Sequence, residues 1–445
     1  MAFAQITHAS QEGRHIAASE QSVKWWFVGS VVLFAVVYLA LDLNRLYALR
    51  YGADLGTYAQ TLMNLQHGSS WNFGEWRPHF QVHDSWALGL LAPLLWLFPS
   101  AELLLLLQVV AIATAAFVLA AFARELGIDR RAAALLGIAF LLTPSAQGLA
   151  YDNFSENVFV PLLAFSGALF ARRRALIPTL LIAELLLGLK EDQILFVAWF
   201  GAACAMLWDR RLGIALVALA AINGAGFAIF EALHHVRPHD PGYTFVPHDP
   251  VGVLWLLLFL LLPFAFAPLA IGWKRLALGL PLLAEILFMA PWTYEPSRIG
   301  SHYTAPLLAG AALAAAAGLV VRPGFAKAMV PLAVVATLFF NDTVLHLGRW
   351  PYIVDWSAYS RAIVLRDGTR TLTAPRDQEG VWAVSAVNPR IRLAQRPGAN
   401  AVFCPAYDRS AGAFFSSLGI GARQSLRLCG GVPVAPNSPT PSPFP

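Results

Sequence analysis

The sequence predicts an all-α polytopic membrane protein of about eleven transmembrane helices, with a small α/β extracytoplasmic C-terminal domain. Three observations carry that prediction. Of the 445 residues, 58% are apolar and only 13% are charged, about half the charged share of a typical soluble domain. Long runs without charge recur along the chain, and hydrocarbon accepts only helices or closed barrels as spanning structure. The runs are continuous rather than alternating, which argues against an outer-membrane barrel. The net charge of +5 is therefore read through its placement in loops, and no nucleic-acid partner is expected.

The elements follow in chain order. Residues 1–24 are polar and read as a loose cytoplasmic tail without a cleavable-signal pattern, so the first apolar run stays as an anchor. The expected spans are Trp25–Leu41, Ala101–Ala123, Ala132–Ala150, Glu156–Ala171, Ala175–Leu189 and Gln193–Trp208. They continue with Leu212–Ala232, Pro250–Ile271, Leu276–Pro291, His302–Val321 and Ala326–Asn341. Together they make residues 25–343 a transmembrane domain, with residues 42–100 as its first extracytoplasmic loop.

One further run, Ser85–Phe98, decides the topology. It is short for a span and carries Pro93. If it lies in the interface, Arg124, Arg130, Arg131, Arg172–Arg174, Arg210, Arg211, Lys274, Arg275, Arg322 and Lys327 all share a side with Arg14 and Lys24. The positive-inside rule requires that arrangement. The N-terminus is then cytoplasmic, and residues 344–430 form the outer domain, with Tyr359–Leu365 helical and Val381–Val387 and Ala401–Phe403 as strands. Residues 431–445 are Pro-rich and read as disordered. Cys204 sits in a helix as filler, whereas Cys404 and Cys429 fall on the oxidising side. A bridge between them closes a loop that stabilises the domain by roughly 3 kcal/mol.

The same topology gathers the polar chemistry on the outer face. Asp54 follows the first span, and Leu55, Tyr58, Ala59, Leu62 and Leu65 recur after it at the spacing of a helix lying on the membrane. An acid held there can take a proton from an acceptor hydroxyl or bind a divalent cation, while its bland role is to cap that helix. Lys190-Glu191-Asp192 follows a helix carrying Glu184. Membrane-edge charges are costly and face a cavity or partner, although a solvated turn tolerates the same residues. Asp152 and Glu156, flanked by aromatics, suit a sugar. Arg298, His302 and Tyr303 suit a phosphate, or else a polar helix boundary in an aromatic belt. The loop with His234, His235, His239 and His248 has no zinc spacing, and its repeated Pro-His-Asp-Pro reads as turn chemistry. No metal site is assigned.

Tyr51-Gly52-Ala53-Asp54-Leu55-Gly56-Thr57-Tyr58-Ala59-Gln60-Thr61-Leu62-Met63-Asn64, with His67-Gly68 after it, resembles the opening motif of the bacterial membrane proteins grouped as domain of unknown function 2079. The similarity continues through Pro78-His79-Phe80, Tyr151-Asp152-Asn153-Phe154-Ser155-Glu156, Lys190-Glu191-Asp192 and His302-Tyr303. Ala53 stands where that family often has Phe, Ser155 where it often has His, and a second acid near Thr57–Tyr58 is missing. The family in turn looks similar to GT-C glycosyltransferases such as protein O-mannosyltransferases and lipid A aminoarabinose transferases. The resemblance implies a GT-C-like fold and makes Asp54 the catalytic acid. It implies a polyprenyl-phosphate-linked sugar donor in the lipid bilayer and an unknown glycan, lipid or protein acceptor. Asp152, Glu156, Lys190, Glu191, Asp192, Arg298, His302 and Tyr303 become substrate-binding candidates. Transfer of this kind needs no redox cofactor and leaves a divalent cation open. The rival readings are a membrane transporter or lipid flippase, which calls for an inverted repeat, and a non-catalytic membrane scaffold.

Overall fold

The computed structural model describes residues 2–47, 53–72, 75, 77–151, 153–234, 250–272, 279–288, 302–340, 371–373, 392–394, 402–407 and 424–430. It is mostly helical. In chain order the helices are α1 (Ala2–Tyr47), α2 (Ala53–Asn64), α3 (Ala92–Leu97), α4 (Ala101–Glu125), α5 (Arg130–Leu141) and α6 (Pro144–Tyr151). Next come α7 (Val160–Arg172), α8 (Leu176–Leu187), α9 (Gln193–Leu207) and α10 (Arg210–His234). The last are α11 (Pro250–Leu261), α12 (Leu280–Phe288), α13 (Ala305–Val321) and α14 (Ala326–Phe340). Every apolar run expected to span contains helix. Among the described residues, four helices are long and apolar enough to cross a membrane: Gln21–Leu46, Ala101–Glu125, Arg210–Phe230 and His302–Val321. The bent pair α5–α6 makes a fifth if it counts as one span. The other apolar helices are shorter, and Trp86–Leu97, at twelve residues, is among them. It falls well short of a bilayer core of about 30 Å.

Contacts divide the chain into two compact units. The helical unit comprises residues 1–38, 108–152 and 157–346, and the first-loop unit comprises residues 39–107, 153–156 and 347–445.

In the helical unit, small residues let helices approach closely, as they must where lipid supplies no hydrophobic drive between helices. A Cβ on Gly213 of α10 would lie 2.3 Å from the Ala205 amide nitrogen of α9, and one on Gly201 would lie 2.9 Å from Leu216 Cβ. A Cβ on Gly137 of α5 would meet Phe27 of α1 at 2.8 Å and the Ala116 carbonyl of α4 at 3.0 Å.

Two of the expected straight spans are broken, both at prolines. The α5–α6 pair bends by 55°, because Pro144 cannot donate to the Phe140 carbonyl. Thr143 repairs the break: its hydroxyl donates to that carbonyl at 2.8 Å and accepts from the Ala146 amide at 3.1 Å. Thr337 of α14 donates to the Leu142 carbonyl at 2.9 Å and accepts from Gln147 Nε2 at 2.8 Å. Gln147 Oε1 in turn accepts from the Tyr38 hydroxyl at 2.5 Å. Freed backbone groups in an apolar bundle need such partners.

The run Pro250–Ile271 was expected to be one helix, yet α11 stops at Leu261. Two 3-10 turns follow, Leu262–Phe264 and Ala267–Ile271. Between them Ala265 and Phe266 have φ of 51° and 58°, a left-handed pair that L-residues adopt at a cost. Pro263 and Pro268 account for the break. Gly318 of α13 receives the irregular backbone: a Cβ there would lie 2.0 Å from the Ala267 carbonyl oxygen.

One rim of the helical unit is basic. Arg173, beyond α7, pairs with Glu125 at the end of α4 at 3.2 Å. Phe122 of α4 and Trp208 after α9 have ring centroids 5.9 Å apart. Asp209 accepts from the Arg211 and Leu212 amides at 2.8 and 3.2 Å. Those backbone hydrogen bonds, with the charges of Arg174 and Arg211, hold its carboxyl below the usual range. The turns at 124–130, 172–175 and 208–211 therefore meet.

The first-loop unit is built on α2, with Leu55, Ala59 and Leu62 fully buried, the face predicted from helical spacing. Trp96 of α3 donates to the Leu62 carbonyl at 3.0 Å. A short hairpin pairs β1 (Trp71–Asn72) with β2 (Arg77–Pro78). The C-terminal residues contribute β3 (Thr371–Thr373), β4 (Arg392–Ala394), β5 (Val402–Tyr407) and β6 (Gln424–Gly430) in the order β4-β3-β5-β6. β5 and β6 are antiparallel, with Cys404 opposite Arg427. The side chains of Cys404 and Cys429 lie outside the described residues, as do the expected helix Tyr359–Leu365 and strand Val381–Val387. At the other end, α1 begins at Ala2, where a loose tail was expected. Residues 2–12 contain no Gly or Pro and five alanines or glutamines precede Glu12, so little opposes continuing the helix backwards.

Candidate functional site

Among the described residues, apart from the basic rim, buried charged and polar side chains gather in each unit. In the first-loop unit the centre is Tyr58, on the buried face of α2. Its ring makes edge contacts with His79 at 5.2 Å and Phe154 at 5.5 Å. Burial, then the Glu156 and Asp54 carboxylates and a hydrogen bond with Glu156, push the phenol well above its ordinary value, and Glu75 adds to this. Tyr58 therefore stays protonated and serves as a donor. Glu156 is fully buried, with Ser155 Oγ donating to it at 3.3 Å. Asp54 is half-buried in the first turn of α2, where the positive end of the helix dipole faces it.

Local structure explains how the hairpin delivers a histidine to this cluster. Asn72 Oδ1 accepts from the Glu75 amide at 2.8 Å, while its Nδ2 donates to Glu75 Oε2 at 2.6 Å and Thr61 Oγ1 at 3.2 Å. Glu75 thus fixed lies 2.9 and 3.1 Å from His79 Nδ1. Burial works to raise the Glu75 carboxyl. The His79 hydrogen bond and charge, the Asn72 hydrogen bond and the His83 charge outweigh it and hold the carboxyl below its usual value. His79 is fully buried, and its Nε2 has no hydrogen-bond partner among the described residues. A carboxylate behind one imidazole nitrogen fixes the tautomer and leaves the other nitrogen for a proton or a ligand.

The second cluster lies in the helical unit at the starts of α9 and α13. Lys190 is buried, with Nζ 4.9 Å from the centroid of the Tyr303 ring. Tyr303 in turn packs against His302 at 4.2 Å. Gln193 Nε2 donates to Asp192 Oδ1 at 2.8 Å and Asn157 Oδ1 at 3.2 Å. Glu191 is half-buried beside them in the chain. A buried ammonium on an aromatic face is a ready contact for an anion.

Of the residues picked from sequence, Asp54 and Glu156 meet at Tyr58, and Lys190 meets Tyr303 and His302. Asp152 and Arg298 lie outside the described residues. The sequence reading missed Tyr58, Asn72, Glu75 and His79 as members of a cluster. The Glu75–His79 spacing of four is visible, but Pro78 between them argues against a helix, and the Asn72 side chain that holds Glu75 has no strong sequence signal.

No curated protein matches the chain. Among solved structures it is similar to ArnT from Cupriavidus metallidurans bound to undecaprenyl phosphate. The identity is 15% and the TM-score 0.49, over 81% of this chain and 74% of that one. Residues 45–233, which hold α2, the hairpin, Glu156 and Lys190, match the family described as "Predicted membrane protein (DUF2079)". Over that segment the chain, a multi-pass membrane protein, is similar to this family.

Proposed function

We propose that this protein is a GT-C-type glycosyltransferase of a bacterial plasma membrane, with about eleven spans and a cytoplasmic N-terminus. It moves a sugar from a polyprenyl-phosphate-linked donor to an extracytoplasmic acceptor. The observation that carries this reading is Asp54, a half-buried acid in the first turn of the helix after α1, beside a buried tyrosine and the Glu156 carboxylate. An apolar chain keeps such a cluster only where a polar ligand is handled.

In the reaction, the Asp54 carboxylate takes the proton of an acceptor hydroxyl. The freed oxygen pair forms the new bond to the anomeric carbon as the bond from that carbon to the phosphate oxygen breaks. The polyprenyl phosphate leaves with the electron pair. Tyr58, held protonated, donates to Glu156 and keeps that carboxylate in position. Glu75 and His79 supply a second proton-accepting nitrogen beside the same tyrosine. Asp152, Glu191, Asp192 and Arg298 are proposed as substrate contacts. Lys190, His302 and Tyr303 are proposed to receive the phosphate.

The test uses purified protein with a panel of polyprenyl-phosphate sugars, following release of polyprenyl phosphate. Asp54→Asn is expected to keep expression and folding and to lower turnover at least about a hundredfold, the scale of general-base loss. Asn caps a helix as well as Asp does, so full turnover in Asp54→Asn refutes the assignment.

A further inference from the structure

The helical unit holds an apolar cavity of about 420 Å³ that the proposed transfer leaves unused. One wall is a stripe on α13, from Leu307 through Gly310 and Ala314 to Ala317. Ten residues of helix rise about 15 Å, half of a 30 Å bilayer core. The room exists because that stripe is Gly and Ala. Leu282 and Leu307 in its lining are buried, whereas Leu207 and Leu280 are 44% and 59% exposed. Leu207 and Trp208, at the end of α9, carry the lining to the basic rim, and Arg210 and Arg211 follow directly at the start of α10, both exposed.

The geometry points to a lipid site: one acyl chain of an anionic glycerophospholipid occupies the slot, with its phosphate held by Arg210 and Arg211 on the basic rim. No charged side chain lines the cavity, so a soluble ionic ligand finds no counter-charge in it. The depth suits a chain that reaches the middle of the bilayer from one leaflet. Where the lining reaches the basic rim at Trp208, two exposed arginines follow within three residues, and guanidiniums favour phosphate in a bidentate contact. Asp209 lies among them, but its carboxylate is engaged by the Arg211 and Leu212 amides. The site stands on the cavity and the rim alone and does not depend on the glycosyl-transfer reading.

Native mass spectrometry of delipidated protein tests it, with phosphatidylglycerol and phosphatidylcholine of identical acyl chains, and undecaprenyl phosphate as a third probe. Two arginines near a phosphate are worth roughly 25-fold in affinity. One phosphatidylglycerol is therefore expected to bind about that much more tightly than phosphatidylcholine. Arg210→Gln/Arg211→Gln should level the two lipids, and Ala314→Leu should weaken both by filling the slot. If Ala314→Leu does not fold, the arginine pair still decides, because both side chains are on the surface. Equal binding of the two phospholipids to the unaltered protein, or a preference that survives loss of both arginines, overturns the proposal. So does tighter binding of undecaprenyl phosphate than of phosphatidylglycerol, which would make a polyprenyl chain the occupant.

Discussion

Replacing Gly213 by Ala puts one methyl group into the crossing of α9 and α10, at a point where the two backbones nearly touch. The added Cβ would lie 2.3 Å from the Ala205 nitrogen and 2.4 and 2.5 Å from its Cβ and Cα. Ordinary contact begins near 3.4 Å, so the helices must separate locally by about 1 Å. The obstacle is backbone, which has no rotamer through which to escape. Overpacking of this kind costs about 1–3 kcal/mol, and the lost van der Waals contact along the crossing adds to it, because packing is what joins helices in lipid. Gly226, on the same helix, is the control: a Cβ there meets nothing within 4 Å. Gly226→Ala should be neutral or favourable by up to about 1 kcal/mol from helix propensity. Thermal unfolding in detergent, followed by loss of monodisperse protein, should show Gly213→Ala melting several degrees below the parent and Gly226→Ala at or above it. Indistinguishable melting of the two variants would show that α9 and α10 do not pack through this glycine.

Thr337→Val keeps shape but removes the hydroxyl that serves the Leu142 carbonyl and Gln147. A loss of about 1–3 kcal/mol is expected, measured as a lower melting temperature, and adding Gln147→Leu should restore part of it. Glu75, whose carboxyl is held below its usual range, contributes stability in full above about pH 4. That contribution is lost as pH falls through the depressed value. Glu75→Gln should therefore melt lower than the parent at neutral pH, and the difference should shrink on acidification below about pH 4.

The helical runs were legible because span length and charge exclusion leave few alternatives, and the basic turns because two arginine pairs and the triplet Arg172–Arg174 punctuate the runs. The face of α2 followed from Leu55, Tyr58, Ala59 and Leu62 alone. The interior of the spans was less legible. Pro144 and Pro263 marked where helices break, but not that Thr143 and Thr337 would serve the freed carbonyls, since Thr337 is 195 positions from Leu142. The left-handed Ala265–Phe266 pair has no Gly or Asn to announce it. The cluster at Tyr58 draws on α2, the β-hairpin and the Asn153–Glu156 segment, and nothing local in the sequence joins those three.

The short helices have a consequence for how this chain is made. α8 has 12 residues and α9 has 15, about 18 and 22 Å of helix, and neither covers the bilayer core unaided. Each is antiparallel to a neighbour across a short basic turn, α7 with α8 and α9 with α10. The hairpin, rather than the single helix, is then the smallest piece that can leave the insertion machinery for lipid. The contact of Gly213 with Ala205 forms within such a piece, during synthesis and ahead of the rest of the bundle. A defect there would be met by membrane quality control on a nascent chain, and would register as lost yield before any loss of activity could be measured.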